Sequence, residues 1–372
     1  MKLGFDARCL IGQQTGVGRY LSNLVSNMLI TEDRKNDYIL YVSDSDNNQM
    51  FKHNSSILMK ELKSPTLLWK HIRLPISLAI DKVDLVHSPS YTAPLMTSCK
   101  SVVTIHDVIY ANHPEWCSKR QYLRFKHLVR IAAKYSDAVI VDSNATRREV
   151  LHLTEVPEHK IHVIYLAADS IYHPIKDENK YEYLQDKYKF KGNYVLFVGS
   201  IHPRRNIHRF LKAFSILKKE KQIPHKILLT GLVLDYNKEL GNLIESLNLI
   251  DCVKQLGFIP DEDLIGLYSF ADLFIYPSLY EGFGLPVIEA MACGTPVITS
   301  NISSLPEVSG DAAVLVDPYN IQEMAEAMGN ILSSSTLREK LIEKGFERVK
   351  HFHWEKTAKE TLNVYNQVLK NT

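Results

Sequence analysis

The fold is decided by residues 273–294, LFIYPSLYEGFGLPVIEAMACG. The apolar run at 273–276, which ends at a proline, predicts a short buried strand. Pro286 suits the first turn of a helix and Gly294 suits the position just after a helix end, so we predict a helix of about two turns between them. A strand, a loop and a helix in this order form the repeating unit of α/β domains with parallel sheets.

The loop between this strand and this helix carries the strongest chemical signal of the chain. Glu281 lies in the loop, and Glu289 lies in the predicted helix, near its start. Gly282 and Gly284 have no side chains, so the backbone of the loop is open to a ligand. Ligands of open parallel sheets bind beyond the carboxyl ends of the strands. The string therefore predicts two carboxylates that act at different parts of one bound molecule.

The rest of the chain repeats the same alternation of strands and helices, which predicts parallel sheets covered by helices. Strands are predicted in the first half at 2–7, 38–42, 84–87, 101–106, 138–141 and 162–165, and helices at 18–30, 119–135 and 145–153. Further strands are predicted at 194–198, 226–230, 252–256, 273–276, 297–299 and 313–316. The pattern lapses in the polar stretch 167–193, which we interpret as the connection between a domain at 1–173 and another at 174–353.

The composition is that of a globular protein with two domains. The 372 residues include 45% hydrophobic and 23% charged residues, which is ordinary for such proteins. The formal net charge of +2 gives no reason to expect a nucleic-acid partner. The five cysteines never form a C-x-x-C pair, which argues against a disulfide framework and a zinc knuckle. Asp6 and Arg8 stand where a signal peptide needs apolar residues, and no apolar run reaches 18 residues, so we expect a cytoplasmic protein.

An arginine pair follows the first predicted strand of the second domain, in the segment 198–206, VGSIHPRRN. Each guanidinium can make two charge-assisted hydrogen bonds to phosphate oxygens, so Arg204 and Arg205 suit a diphosphate. Cations at the positive start of a helix are unfavourable unless an anion lies between them and the helix. This weakens the alternative, which is a solvated helix start.

Two shorter signals lie in the first domain. In the segment 11–20, IGQQTGVGRY, Gly16 and Gly18 precede a helix, where backbone N–H groups can approach a phosphate or a sugar. The third glycine of a dinucleotide fingerprint would fall at Leu21, so this is not that fingerprint. The segment 104–107, TIHD, ends a buried strand, and Asp107 could orient and polarise His106. Taken alone, the glycine segment also fits a plain turn that leads into a helix. The His106–Asp107 pair also fits two residues that are neighbours by chance.

Together these segments resemble glycosyltransferase family 4, whose members are retaining enzymes of the GT-B fold. The resemblance rests on the Glu-x7-Glu string from Glu281 to Glu289 and extends over essentially the whole chain. It includes the segments TGVGRY (15–20), TIHD (104–107), VGS to PRRN (198–206), LPEV (305–308), VDP (316–318) and FHWE (352–355). The first of these is most similar to bacterial mannosyltransferases that build O-antigen and related surface polysaccharides. The resemblance implies two doubly wound Rossmann-like domains facing a cleft, with a C-terminal helix at 354–372 returning to the first domain.

The resemblance also implies roles for residues of the second, donor-binding domain. Arg204 and Arg205, in the segment that contains Gly199, would hold the donor diphosphate. The family's usual pair is arginine followed by lysine, so Arg205 departs from the pattern. It places a planar guanidinium where the family has a compact ammonium group. The remaining donor contacts would come from the backbone of three residues and from two carboxylates: Phe283, Gly284 and Leu285 at the sugar and phosphates, Glu289 at the ribose hydroxyls, and Glu281 beside the transferred sugar.

In the first, acceptor-side domain, the resemblance implies that Gly16 and Gly18 close over the diphosphate from the opposite domain. His106 would face the reacting side of the sugar, with Asp107 in support. The expected reaction moves a hexose from a nucleotide diphosphate to a saccharide or a lipid-linked saccharide, with retention and without a metal or another cofactor. GDP-mannose is favoured as the donor, and UDP-linked and dTDP-linked sugars stay open.

Four other functions stay open on the residues alone. Asp44 and Asp46 follow a strand and could carry the divalent cation of a metal-dependent transferase of another fold, although Asn47 and Asn48 favour a solvated turn. The others are an NAD-dependent oxidoreductase, a nucleotide-sugar epimerase of the same fold, and a non-catalytic protein that binds sugar nucleotides.

A membrane surface is a further expected partner. The first domain, up to Tyr172, has 21 basic and 17 acidic residues, whereas the remainder has 23 and 25. Basic and apolar residues interleave at 119–134 and again at 63–73, as in helices that lie on anionic membranes. A helix packed on the sheet with a solvated charged face is the alternative. We therefore expect a cytoplasmic protein that also contacts the inner face of the membrane peripherally.

Overall fold

The computed structural model describes residues 1–11, 16–31, 36–43, 51, 56–65, 68–231 and 237–370. These residues form two compact units. The first unit comprises Met1–Leu166 together with His353–Thr372, and the second unit comprises Ala167–Phe352.

The first unit contains a parallel sheet of seven strands in the order β3-β2-β1-β4-β5-β6-β7. The strands are β1 (Lys2–Asp6), β2 (Asp37–Val42), β3 (Ile57–Glu61), β4 (Leu85–Ser88), β5 (Lys100–Ile105), β6 (Ala138–Val141) and β7 (Ile161–Val163). β4 and β6 are buried along their whole length, as expected for strands covered on both faces. The edge strand β3 was not predicted, because no residue of it is fully buried and it shows no strong apolar pattern.

Helices follow these strands in the first unit. They are α1 (Gly16–Thr31), a π-helical turn (Trp69–Arg73) that continues as α2 (Leu74–Ile80), α3 (Ile109–Asn112), α4 (Lys119–Tyr135) and α5 (Asn144–Thr154). α4 begins at its predicted residue because Ser118 and Gln121 form a capping box. Its buried side, which includes Phe125 and Val129, belongs to the core shared with β5 and β6.

The second unit contains a parallel sheet of six strands in the order β10-β9-β8-β11-β12-β13. The strands are β8 (Tyr194–Val198), β9 (Lys226–Thr230), β10 (Val253–Gly257), β11 (Leu273–Tyr276), β12 (Val297–Ser300) and β13 (Val314–Val316). In each sheet the strand order reverses once, between β1 and β4 and between β8 and β11. Ligands of doubly wound sheets bind at such switch points.

The helices of the second unit are α6 (Glu178–Tyr188), α7 (Ile207–Lys221), α8 (Asn237–Ser246), α9 (Asp261–Ser269), α10 (Leu285–Ala292), α11 (Leu305–Ser309), α12 (Ile321–Ser333) and α13 (Ser335–Val349). α6 lies inside the stretch that we interpreted as the connection between the domains, where no helix was predicted. It has one buried residue, Leu184. Lys180 and Lys187 bind the buried Asp263 of α9 at 2.8 and 2.6 Å. Because ion pairs rather than an apolar stripe attach this helix, apolar periodicity did not reveal it.

The last helix, α14 (Trp354–Lys370), belongs to the first unit although it follows the second along the chain. It packs against α1 and buries a strip of side chains: Trp354, Ala358, Thr361, Leu362, Val364, Tyr365 and Val368. The Tyr365 hydroxyl hydrogen-bonds the ring of His87, which is fully buried at the end of β4. The two parallel sheets and the return of α14 confirm the predicted fold class.

Candidate active site

Three predicted site residues meet at the switch point of the second sheet. Arg204 and Arg205 lie in a 3-10 turn just after β8, and Glu281 lies in the loop after β11. Nη1 of Arg204 lies 3.3 Å from Oε2 of Glu281. Nη1 of Arg205 donates to Oε1 of the same carboxylate. Two cations therefore share one anion, and the cluster carries a net positive charge.

The cluster is buried enough for its charges to interact strongly. The side chains of Arg205 and Glu281 are 10% and 8% exposed, and the side chain of Arg204 is 21% exposed. The guanidinium carbon of Arg205 lies 4.8 Å from the centre of the Tyr276 ring. Burial acts to raise the pKa of Glu281, but Arg204 and Arg205 outweigh it and hold that pKa below its ordinary value. The cluster thus keeps an ionised carboxylate in the place where an anionic ligand could compete for both arginines.

Asn206 holds the arginine turn against the neighbouring strand. Its backbone has φ of 60°, which asparagine tolerates better than most residues. Its buried amide donates to the carbonyl oxygens of Pro277 and Pro318 at 3.1 and 2.7 Å. The backbone N–H of Leu279 also donates to the carbonyl oxygen of Arg204 at 2.7 Å. These bonds fix the turn on the loop that carries Glu281.

Gly199 provides space for the side chain of Arg205. Its φ of 141° lies in the region that side chains rarely adopt, and a Cβ atom there would lie 3.3 Å from Nε of Arg205. Its N–H donates to the carbonyl oxygen of Thr230 at 3.0 Å. The glycine therefore lets Arg205 lie against the end of β8, while its own N–H is already used within the sheet.

The loop after β11 is held by two serines that follow β12. The hydroxyl of Ser304 donates to the carbonyl oxygens of Glu281 and Phe283 at 2.9 and 2.7 Å, and the hydroxyl of Ser303 accepts from the N–H of Glu281 at 3.0 Å. Gly284 then starts α10 with φ of 112°, and a Cβ atom there would come within 2.8 Å of Leu305. A side chain at this position would thus disturb the loop through both strain and collision.

Leu285 and Glu289 lie on α10, directly after this loop. Leu285 is its first residue, and Glu289 is its fifth of eight rather than near its start as predicted. Glu289 is 8% exposed, and its carboxylate accepts a hydrogen bond of 3.1 Å from the hydroxyl of Tyr268. The first N–H groups of any helix have no partner within it. The start of α10 therefore directly follows the Glu281 loop beyond the carboxyl end of β11.

In the first unit, the partner of His106 is Asp142 and not Asp107. Nδ1 of His106 lies 2.6 Å from Oδ2 of Asp142, which directly follows β6. Asp107 instead accepts a hydrogen bond of 3.1 Å from the N–H of Ile109, at the start of α3. Asp107 therefore does not make the hydrogen bond that would orient His106, although its charge also raises the pKa of that ring. The strand next to β5 supplies the carboxylate, which the sequence signalled only as an acid just after a predicted strand.

Both ring nitrogens of His106 face acceptors. Nδ1 meets the Asp142 carboxylate, and Nε2 lies 3.0 Å from the carbonyl oxygen of Pro89. A ring that donates from both nitrogens carries two protons and a positive charge. Burial acts to lower the pKa of His106, but Asp142 outweighs it and raises that pKa above 6.5. The edge of the Tyr20 ring lies against the imidazole, with 4.7 Å between centres.

We expect Asp142→Asn to lower the pKa of His106, because the carboxylate is what offsets the cost of burying the charged ring. In the wild type the ring should keep its second proton to a pH above 6.5, and in the variant it should lose that proton at a lower pH. An NMR titration of the His106 ring measures both. Asp107→Asn is the matched control, since Asp107 contributes charge but no hydrogen bond to the ring, and should shift the titration less. Equal shifts in the two variants would contradict the assignment.

Gly16 and Gly18 lie at the start of α1. Gly16 is exposed and is the first residue of the helix, and a Cβ atom there would meet nothing within 4 Å. Gly18 is buried. One turn further on, Tyr20 packs against His106, and its hydroxyl bonds the Thr104 hydroxyl at 2.9 Å. The glycine segment and the His106 segment therefore lie beside each other in the first unit.

The residues of the metal-binding alternative, Asp44 and Asp46, lie outside the described residues. Within the described part of the chain, no group of three or more histidines, cysteines or acids could hold a metal ion. In the same part, no helix is both long and apolar enough to cross a membrane.

Comparison with known proteins gives a consistent result over both units. Residues 15–170 match the model of the family described as Glycosyltransferase Family 4, and residues 182–348 match that of Glycosyl transferases group 1. The O-antigen chain mannosyltransferase B of Escherichia coli is 29% identical over 98% of this chain and 99% of its own length. The O-antigen chain mannosyltransferase RfbU of Salmonella typhimurium is 32% identical over 71% of this chain and 68% of its own length. A sucrose-phosphate synthase structure from Thermosynechococcus elongatus superposes on all of both chains with a TM-score of 0.78 at 21% identity.

Proposed function

The chain belongs to the glycosyltransferases that join a family 4 domain to a group 1 domain, and from this premise we propose that it transfers mannose from GDP-mannose to a saccharide acceptor. The chain is a hexosyltransferase. The names of its relatives support mannose as the sugar and a surface polysaccharide as the product. The observation that carries the proposal is the buried cluster of Arg204, Arg205 and Glu281 at the switch point of the second sheet.

The chemistry of the cluster supports a nucleotide diphosphate as the leaving group. When the glycosidic bond to phosphate breaks, negative charge develops on the diphosphate and positive charge on the sugar ring. Arg204 and Arg205 are held in place before the reaction, so they can stabilise the departing phosphates without a large reorganisation. Glu281 carries a negative charge beside them and would stabilise the cationic ring. We further propose that the configuration at the anomeric carbon is retained, as in the family that the chain resembles.

The experiment that tests this function is a nucleotide-release screen. GDP-mannose, UDP-linked sugars and dTDP-linked sugars are each incubated with the full chain, with and without mannose-containing oligosaccharides. We expect GDP release from GDP-mannose that depends on the acceptor. Release from another donor would change the sugar assignment. Conversion of the donor's sugar into a different sugar in the absence of an acceptor would identify an epimerase. The absence of turnover with every donor would identify a non-catalytic binding protein.

We expect the transferase activity to survive EDTA. Arginines and the start of α10 take the place of a divalent cation here, because they bring positive charge to the developing negative charge. The comparison is of initial rates with EDTA, without EDTA and after adding back Mg²⁺ or Mn²⁺. Loss of activity that Mg²⁺ or Mn²⁺ restores would contradict the proposal and favour a metal held by Asp44 and Asp46.

We also propose that the first unit contacts an anionic membrane surface. Four apolar residues recur every four positions from the residue before the π-helical turn to the end of α2, and each is 48–69% exposed: Leu68, Ile72, Ile76 and Ile80. On α4, Leu123 is 64% exposed among exposed basic residues, although the opposite side of this helix packs into the core. An exposed apolar strip next to cations fits a helix that lies in the surface of an anionic bilayer.

Sedimentation with vesicles tests this contact. We expect the chain to bind phosphatidylglycerol vesicles at low salt, and to bind less at high salt, because basic residues near such a surface contribute about 1 kcal/mol each. Ile72→Ser/Ile76→Ser should reduce binding at both salt concentrations, since the apolar strip is lost without a change in charge. Ile30→Ser is the matched control, because Ile30 is 78% exposed on α1, away from the strip. Equal binding to neutral vesicles, or no effect of the paired substitution, would contradict the proposal.

A further inference from the structure

A cavity of about 600 Å³ lies within the first unit, between α4, the π-helical turn and the loops after β1, β4 and β5. Its charged and imidazole-bearing lining residues are Arg8, Lys70, His71, Arg124 and His127, and the described lining includes no acidic side chain. Such a lining attracts an anion from several sides at once.

Two of these cations are built into the protein interior. Arg8 bonds both carboxylate oxygens of the buried Asp6 at 2.8 and 2.7 Å, and stacks on the Trp69 ring at 4.0 Å. Lys70 is 8% exposed and lies 3.6 Å from the same carboxylate, while it donates to the carbonyl oxygen of Thr92 at 3.0 Å. Burial lowers the pKa of Lys70 to about 8, although Asp6 acts against this. Two cations thus share one anion, which leaves a positive charge at the cavity wall that the described residues do not neutralise.

A third observation concerns His71, whose ring faces this cavity. Nδ1 of His71 is buried at this cavity and has no hydrogen-bond partner among the described residues. Buried polar atoms are nearly always bonded, so an exception calls for an explanation such as a bound group. Arg124, on α4, is exposed at the cavity with no described acid paired to it. An oxyanion could accept hydrogen bonds from both residues.

The lining of the cavity also contains three aromatic rings. The ring of Phe125 lies 4.5 Å from that of Tyr91 and 5.5 Å from that of Tyr110, measured between centres. A continuous set of rings suits an apolar chain or the apolar face of a sugar. Tyr91 and Tyr110 lie in the segments that also carry Pro89 and His106, so the cavity opens at the same edge of the sheet as the histidine.

We propose that this cavity binds the acceptor, and that the acceptor carries a phosphate-class anion beside its saccharide or apolar part. The assignment to an acceptor rests on the proposed transferase function. Arg124 presents a guanidinium fork, Arg8 presents the part of its guanidinium that is not bonded to Asp6, and Lys70 presents a point charge. This combination suits the several oxygens of a phosphate. The aromatic rings hold the part of the molecule next to the anion. Neutral saccharides of equal size bind more weakly, because they do not balance the excess positive charge of the cavity.

Calorimetry with the full chain tests this assignment, with monooctyl phosphate as the anionic probe and octyl glucoside as the neutral one. We expect one monooctyl phosphate per chain, bound about tenfold or more tightly than octyl glucoside. Arg124→Gln should lower the affinity for monooctyl phosphate about tenfold, which corresponds to the loss of one charge-assisted hydrogen bond. The affinity for octyl glucoside should stay unchanged. Lys119→Gln on the same helix removes an exposed charge outside the cavity lining and should change neither. Lys70→Met should abolish the preference for the anion.

Several outcomes would overturn the proposal. Equal affinity for the two probes, or equal effects of Arg124→Gln and Lys119→Gln, would show that the cavity does not select an anion. Inorganic phosphate that binds as tightly as monooctyl phosphate would assign the site to a small free anion instead of an acceptor. If Lys70→Met does not fold, Arg124→Gln still decides, because Arg124 is exposed. These binding measurements need neither donor nor turnover, so their failure is distinct from a failure of the nucleotide-release screen.

Discussion

Replacing both arginines of the second unit, Arg204→Ala/Arg205→Ala, is expected to lower kcat/KM by roughly 10²- to 10⁴-fold. Each residue supplies a charge-assisted hydrogen bond of about 1.5–3 kcal/mol to the departing diphosphate. The two losses are not independent, because both arginines contact Glu281. Steady-state kinetics with GDP-mannose measure the loss. Arg205→Lys should retain most of the activity, since it keeps a positive charge opposite the carboxylate.

Controls separate chemistry from folding in this experiment. Lys212→Ala removes a positive charge from the exposed side of α7 and should leave kcat/KM unchanged. Without the arginines, the buried Glu281 has lost the charges that hold its pKa down, so the variant should also be less stable. Adding Glu281→Gln to the double substitution should restore stability but not activity. Wild-type kcat/KM in a folded double variant would rule out the diphosphate assignment.

Removing α14 by a stop after His353 is expected to unfold the first unit. Five of its buried side chains are large: Trp354, Leu362, Val364, Tyr365 and Val368. At about 1.5–3 kcal/mol each, they contribute an upper estimate of roughly 7–15 kcal/mol. This equals the whole stability of a typical domain, which is about 5–15 kcal/mol. Limited proteolysis followed by mass spectrometry should then show rapid cleavage within residues 1–166 and slower cleavage within 167–352.

Tyr365→Phe is the conservative counterpart of this truncation. It keeps the ring but removes the hydroxyl that bonds His87. A buried polar atom left without its partner costs about 1–3 kcal/mol, so we expect a folded chain of lower thermal stability. A truncation that removes only residues 371–372 should have no effect. If the chain without α14 resists protease as well as the full chain does, the packing of this helix is not what stabilises the first unit.

The fold could be predicted from the sequence because its central strands are strongly apolar. β8, β9 and β11 have the predicted bounds, and the segments with chemical signals lie at the carboxyl ends of strands. The arginine pair and Glu281 were each visible as a strand followed by a polar loop. That β8 and β11 are neighbours follows from the doubly wound topology, and this adjacency brings the three side chains together.

What the sequence did not reveal depends on contacts between distant segments. Asp142 is 36 residues from His106, and only the pairing of β5 with β6 brings them together. The same holds for Arg8 and Lys70, which share the carboxylate of Asp6. In the sequence, Asp6 is a residue of the predicted strand 2–7, and nothing there indicated a contact with Lys70. Apolar periodicity also missed α6, because this helix is attached by ion pairs, and it missed β3, because this strand lies at the edge of the sheet.

The return of α14 also sets an order of events during synthesis. The ribosome makes residues 1–166 before residues 167–352, but the helix that completes the core of the first unit is translated only after both. At about 5–20 residues per second, the first unit waits roughly 10 to 40 s for this helix. The second unit is continuous in sequence and has all of its residues before then. The first unit is therefore expected to finish folding after the second, and until then the side of α1 that packs against α14 stays exposed.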